Sequence, residues 1–281
     1  MKTLYSPELP MGDEPQQARW LTEAKFFDSV ANERADELKL DPIVLARYGS
    51  PSLRRRFHAE YRFHVLGPLN GRDVLDAGCG EGSNSMLLAK LGARVTGIDI
   101  SPGSVALARK KAAANEIEAV TRFICSPLET ADLAPNSFDI IWADNILHHL
   151  IAEIDSVLAM FVTWVKPGGT VILTEPINLN RSLRHLRLLL PVKTRATPDE
   201  RPLELRELKK IHEHLPNLKV RHFSFLGRVS RFVLCNQSYE RSSWLRRTIA
   251  GSLALIDYGV LSLPYAKNLA GVAVMSAVVN K

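Results

Sequence analysis

The chain has 281 residues, enough for one α/β domain with additions and for a large core that needs no disulfide or metal staple. Hydrophobic residues make up 46% and charged residues 23%, and 16 Gly with 16 Pro exclude a collagen-like or Pro/Gly-rich disordered chain. The formal charge of +6 is uneven: from Ile177 to Arg247 sixteen Lys/Arg face six Asp/Glu, which leaves twenty basic and twenty-four acidic residues elsewhere.

Residues from about Glu14 to Leu66 have a helical pattern, broken near Asp41-Pro42 and Gly49-Ser50-Pro51, with Phe26, Phe27, Val30, Leu38 and Leu40 as a candidate buried face. From Arg72 the pattern becomes regular. Val74–Ala77 is a short apolar strand running into a glycine turn, Ser83–Leu91 a helix, Arg94–Ile98 a strand ended by Asp99, and Pro102–Asn115 a helix with Pro in its first turn. Strands follow at Val120–Ile124 and Phe138–Ala143, then a helix at Leu147–Val165, a Pro167-Gly168-Gly169 turn and a strand at Val171–Thr174. Strands alternating with helices over short connections imply a parallel sheet with right-handed crossovers, so the expected fold is a doubly wound, Rossmann-like α/β sheet. Its ligand is expected at the carboxyl ends of the central strands.

Beyond Pro176 the regularity loosens: a helix at Leu179–Leu190, a polar loop at Pro191–Pro202, a helix at Leu203–His214, an alternating strand at Leu218–Phe225, two helical pieces to Leu263 and a last strand at Val272–Val279. The two late strands are expected to complete a seven-stranded sheet as an antiparallel pair. The implied organisation is a helical cap over 1–70, a ligand-binding core over 71–176, and a basic, substrate-facing insertion with the final strands over 177–281.

Cys79, Cys125 and Cys235 form no CxxC pair and no zinc spacing, so no metal site is expected and a reducing compartment is implied. Met1–Gln17 carries Pro, Asp and Glu where a signal peptide needs an apolar run, which points to a cytoplasmic protein. Thr248–Tyr265 is apolar but interrupted by Asp257 and closed by Pro264, so it reads as a packed helix, with interfacial membrane contact as the lesser alternative.

Val74-Leu75-Asp76-Ala77-Gly78-Cys79-Gly80-Glu81-Gly82 is the most informative stretch. Its glycines let a ligand lie against backbone, and the next helix presents free N–H groups there. Asp76 and Glu81 would repel a dinucleotide's pyrophosphate, whereas the ammonium and sulfonium of S-adenosylmethionine favour acidic neighbours. Asp99 ends the following strand, where a carboxylate can accept ribose hydroxyls.

On VLDAGCGEG at 74–82, VTGIDIS at 95–101, FDIIWADNILHHL at 138–150 and KPGGTVILTEP at 166–176, the chain resembles the class I S-adenosylmethionine-dependent methyltransferases. The resemblance covers about a hundred residues and is specific for the family but not for its substrate. It implies that Asp76, Gly78, Cys79, Gly80 and Gly82 line the methionine and ribose side of the cofactor, that Asp99 holds the ribose and that Ile100 packs on the adenine. Ser126, Pro127 and Leu128 fall in the adenine loop, where many members carry an acidic residue in place of Ser126. Asp144, Asn145 and Ile146 fall where backbone meets the methionine portion.

Methyl transfer from a sulfonium is an in-line displacement, and a hydroxyl acceptor benefits from a general base. His148 or His149 is the candidate base, with Glu175 contacting an imidazole or the substrate. Arg184, Arg187, Lys193 and Arg195 are candidate lid cations for an anionic acceptor, and Tyr61 and His64 candidate covers of the cofactor. The expected activity is methylation of a small molecule, most simply at oxygen, yielding S-adenosylhomocysteine. The competing readings are a nucleic-acid methyltransferase tracking phosphates with the basic half, disfavoured by the lack of NPPY and Pro-Cys motifs, and a non-catalytic cofactor-binding protein.

Overall fold

The computed structural model describes residues 14–180, 201–234 and 239–281. The lid cations Arg184, Arg187, Lys193 and Arg195, and Cys235, lie outside the described residues. The N-terminal helices are α1 (Glu14–Glu33), α2 (Pro42–Gly49) and α3 (His58–Leu66). Asp41 caps α2 by accepting the Ile43 N–H at 2.9 Å, so the Asp-Pro pair starts a helix where it interrupts the pattern.

The core then alternates as β1 (Asp73–Ala77), α4 (Ser83–Lys90), β2 (Arg94–Asp99), α5 (Pro102–Ala114), β3 (Thr121–Cys125), β4 (Phe138–Asp144), α6 (Ile154–Trp164) and β5 (Val165–Pro176). After it come α7 (Leu205–His214), β6 (Lys219–Phe223), α8 (Trp244–Val260) and β7 (Val272–Val278). The strands form one seven-stranded sheet in the order β3-β2-β1-β4-β5-β7-β6. β1 to β5 are parallel, and β7 runs antiparallel to both β5 and β6, as the sequence pattern implies. The strand order reverses at β1 and β4, which opens a crevice at their carboxyl ends.

Both faces of the sheet are covered, which explains why its central strands are continuously apolar. Leu75, Ala77, Ile141 and Ala143 pack to one side with Phe161 and Trp164 of α6. Val74, Ile140 and Trp142 pack to the other with Phe63 of α3 and Met86 and Leu88 of α4.

Two boundaries differ from the sequence reading. Pro167-Gly168-Gly169 is not a turn ahead of a strand but an irregularity inside the longer β5, whose register against β4 shifts between Phe138 and Ile140. Gly169 allows it: a Cβ there would lie 2.9 Å from the Asp139 carbonyl oxygen. The helix expected from Leu147 begins only at Ile154. Its first residues instead form tight turns, with the His149 N–H on the Ile146 carbonyl and the Leu150 N–H on the Leu147 carbonyl, each at 3.1 Å.

Phe161 is fully buried and its ring lies 6.2 Å from that of Trp164. Phe161→Ala is expected to lower the unfolding free energy by about 3–5 kcal/mol, read from the denaturant midpoint at unchanged slope.

Candidate functional site

The crevice at the carboxyl ends of β1, β2 and β4 holds a cavity of about 470 Å³. Of the sequence-predicted residues, Gly78, Cys79, Gly80, Asp99, Ile100, Ser126, Leu128, Asp144 and Asn145 line it, with His148 and His149 at one end. Asp76, Gly82, Pro127 and Glu175 do not line it; each acts from behind the wall or away from it.

Gly78 and Gly82 both have left-handed backbone, at φ +71 and +83. A Cβ on Gly78 would come within 2.7 Å of Ile146, which lines the cavity beside it. A Cβ on Gly82 would meet Ala108 of α5 at 2.9 Å, so this glycine serves helix packing and not the cavity. The loop is pinned by the Gly78 and Cys79 N–H groups, both donating to the Ile98 carbonyl at 2.9 and 3.0 Å.

Asp99 accepts the Gly80 N–H at 2.8 Å through one oxygen and the Ser101 N–H at 2.9 Å through the other. Burial nonetheless pushes its carboxyl up to about 6, reinforced by nearby Glu81 and Asp28. Asp76 is 1% exposed and accepts the Ser85 hydroxyl at 2.6 Å. Burial pushes it up to about 7, with Asp144 and Asp99 adding to the effect. Asp144 and Glu81 have cations of their own: Arg62 pairs with Asp144, and Arg34 reaches Glu81 at 2.7 Å. Among the described residues Asp76 and Asp99 have no ion-pair partner. This donor set is short of positive charge and fits a cationic ligand; a pyrophosphate would be repelled by it.

At the other end, Glu175 is fully buried. One of its oxygens accepts the N–H groups of Ile146 and Leu147, at 3.0 and 2.8 Å. The other accepts the His148 N–H at 3.3 Å and lies 2.8 Å from His148 Nδ1. A carboxylate only accepts, so the proton of the neutral imidazole sits on Nδ1 and the Nε2 lone pair is left available. Asn145, at φ +57, makes the bend that brings this loop back over β5. Glu175 therefore positions His148 and its loop and does not touch the cavity. The His148 and His149 rings lie 4.3 Å apart, and Phe27 meets His149 edge-on at 5.5 Å.

Sequence reasoning assigned the cover to Tyr61 and His64 and missed the residues that line the cavity. Glu23, Phe26 and Phe27 of α1 and Arg34 just past its end line the cavity, as do Asn84 and Glu129. Tyr61 and His64 do not: Tyr61 packs on Phe223 at 5.3 Å, and His64 meets the Ser52 hydroxyl at 3.3 Å. α1 is fastened at several points. Asp28 accepts the Ser101 hydroxyl at 2.6 Å and the Gly103 N–H at 2.8 Å, and Arg19 pairs with Glu129 and Glu153 at 2.6 and 2.5 Å. These partners are 73 to 134 residues apart, so no local pattern marks them. Asn84 was accessible in principle: it lies in the first turn after the glycine loop and donates to Asp144 at 2.9 Å. Ser126 spends its hydroxyl proton on the Pro127 carbonyl at 3.1 Å, which leaves its oxygen as an acceptor toward the cavity.

Residues 75–173 match the family model described as a methyltransferase domain. The chain is 38% identical over 123 residues to a ubiquinone biosynthesis O-methyltransferase of Alkalilimnicola ehrlichii, covering 44% of this chain and 48% of that protein. It is 34% identical over 152 residues to the protein of that name from a Methylobacterium species, covering 52% and 59%. The chain thus spans about half the length of the curated relatives it matches. Among solved structures, geranyl diphosphate C-methyltransferase from Streptomyces coelicolor is similar with a TM-score of 0.58 at 14% identity, covering 96% of this chain and 100% of that one. A likeness at that identity carries the fold alone.

Asp76 and Asp99 hold protons in the ligand-free folded state above the usual 3.8, at about 7 and about 6, so folding binds protons between those limits. These two groups make stability fall as pH rises from about 4 to about 7, and Asp76→Asn flattens that slope. Thermal melts of both proteins across this range, in buffer alone, are the check.

Proposed function

We propose that this chain, whose residues 75–173 match a methyltransferase-domain model, is a class I S-adenosylmethionine-dependent methyltransferase that transfers a methyl group to a hydroxyl of a small molecule. The observation that carries the reading is one cavity with a cation-deficient carboxylate end and a histidine held by a buried glutamate at the other. When bound, S-adenosylmethionine supplies an electrophilic methyl group on a sulfonium. Asp99 and the Gly78–Gly80 backbone would hold its ribose side. Ile100, Leu128 and Ser126 would hold its base. Asp144 and Asn145 would face its amino-acid portion.

His148 then takes the acceptor's hydroxyl proton at Nε2, while Glu175 on Nδ1 holds the ring and stabilises the imidazolium that forms. Phe26 and Phe27 close the apolar side of the cavity, which limits water around the acceptor. The names of the curated relatives, ubiquinone biosynthesis O-methyltransferases, support an oxygen acceptor. The carboxylate-rich wall favours a compact acceptor over a nucleic acid, because its nearby cations are already paired, Arg19 with Glu129, Arg34 with Glu81 and Arg62 with Asp144, which leaves none of these for a phosphate backbone.

Calorimetry with S-adenosylmethionine is expected to show binding by the native protein and about tenfold or greater weakening in Asp99→Asn. Affinity should fall as pH drops below about 6, because Asp99 must be ionised to accept both ribose hydroxyls and binding there must expel its proton. Absence of binding by the native protein would overturn the reading.

With an acceptor in hand, His148→Ala should lower kcat by about 10²–10⁴ at unchanged cofactor affinity. Glu175→Gln retains an acceptor for the loop N–H groups, but its amide donates to Nδ1 and selects the tautomer with a protonated Nε2, so kcat falls there too. Full turnover by both variants would exclude His148 as the base.

A further inference from the structure

The helix α8 is built inside out. Its buried residues are Ala250, Gly251, Ala254 and Asp257. Asp257 accepts the backbone N–H groups of Phe225, Leu226 and Gly227 at 2.9, 2.8 and 2.7 Å. The acidic residue that interrupts this apolar stretch of sequence is thus the helix's anchor to the body of the protein. The large apolar side chains point the other way: Trp244 is 71% exposed, Leu245 54%, Ile249 42%, Leu255 60% and Ile256 49%. Leu245, Ile249 and Ile256 recur at helical spacing with Trp244 and Leu255 alongside, so they form one stripe. Phe232, 78% exposed, lies on the short helix Ser230–Val233 packed against α8. Single exposed apolar residues are ordinary, but a helix that buries its small residues and presents its large ones marks an interaction surface.

A second observation sits beside the stripe. A cavity of about 520 Å³ runs along α8, lined by Arg54, Arg56 and Arg247 together with Trp244 and Leu255. Arg54 is paired with Glu240 at 3.0 Å. Among the described residues Arg56 and Arg247 have no ion-pair partner, and the Nε of Arg56 is buried without a hydrogen-bond acceptor. A cationic hollow next to an apolar stripe matches the two parts of an anionic amphiphile, its phosphate and its acyl boundary.

We propose that this face docks onto the surface of an anionic phospholipid bilayer. The α8 stripe enters the headgroup–acyl boundary, and Arg56 and Arg247 receive lipid phosphates. The helix lies on the bilayer, since none among the described residues is long and apolar enough to cross one. A second copy of the chain is the poorer occupant: a two-fold contact through this face would set the same unpaired arginines against one another. The inference does not rest on the methyl-transfer reading.

The full chain is mixed with vesicles of phosphatidylcholine, or of phosphatidylcholine with phosphatidylglycerol, and sedimented. Sedimentation with the anionic vesicles, released by high salt and weaker with neutral ones, is expected. Tryptophan emission should shift to the blue on binding. Trp20, Trp142 and Trp164 are 0%, 1% and 3% exposed, so that shift reports Trp244. The combined variant Leu245→Ser, Ile249→Ser and Ile256→Ser, and separately Arg247→Glu, should each lower partitioning about tenfold or more at unchanged melting temperature. No sedimentation with anionic vesicles, equal binding to neutral ones, or unchanged partitioning in either variant would overturn the proposal. So would a solution dimer that the triple variant dissolves.

Discussion

The carboxylate of Glu175 is the contact on which the rest of the site depends. It ends β5, is fully buried, and accepts the backbone N–H groups of Ile146, Leu147 and His148. Those groups have left β4 but have not yet entered a helix, so without Glu175 they would be poorly satisfied inside the protein. The same oxygen that accepts from the His148 backbone also meets its ring at Nδ1. One buried charge thus shapes the loop and orients the imidazole. It also packs Ile146 against Gly78, so the histidine end and the glycine end of the cavity are mechanically joined.

The electrostatics of the two ends are opposed in purpose. The glycine end gathers carboxylates and leaves Asp76 and Asp99 without cations of their own, so burial lifts both. A protein that needed only stability there would supply a partner, as it does for Glu81 with Arg34 and for Asp144 with Arg62. The histidine end spends its one buried carboxylate on hydrogen bonds. α1 lies over both, fastened by Asp28 to the start of α5 and by Arg19 to Glu129 and Glu153. Closing the cavity with a separate helix leaves the carboxylates on the sheet side while Phe26 and Phe27 supply an apolar wall.

α8 follows the opposite rule from the core helices. α6 buries Phe161 and Trp164 against the sheet and takes its stability from apolar area. α8 is held by small residues and by Asp257, a polar anchor that leaves its large apolar residues unused by the fold. Such a surface has meaning only with something to cover it, and the adjacent arginines give that partner its sign.

The core architecture was legible in the sequence because each of its signals is local. Strand runs, glycine turns and helix-starting prolines recur at short spacing, and they yielded the doubly wound sheet, the antiparallel late pair and the residues of the glycine loop. The paired His148 and Glu175 were readable as neighbours because both follow adjacent strands at one edge of the sheet. What the sequence did not carry were interactions whose partners lie far apart. Which residues of α1 line the cavity, the retreat of Asp76, Gly82 and Glu175 behind its wall, and the bulge inside β5 depend on which side of a strand or turn a side chain takes. So does the inversion of α8: its periodicity marks an amphipathic helix, but only the docking of Asp257 onto the 225–227 backbone decides that the apolar face is the outer one. Sequence alone determined the elements and the chemistry available at the sheet's carboxyl edge. Tertiary packing decided which of those groups reach the cavity, because burial and long-range hydrogen bonds are properties of the assembled surfaces and not of any segment.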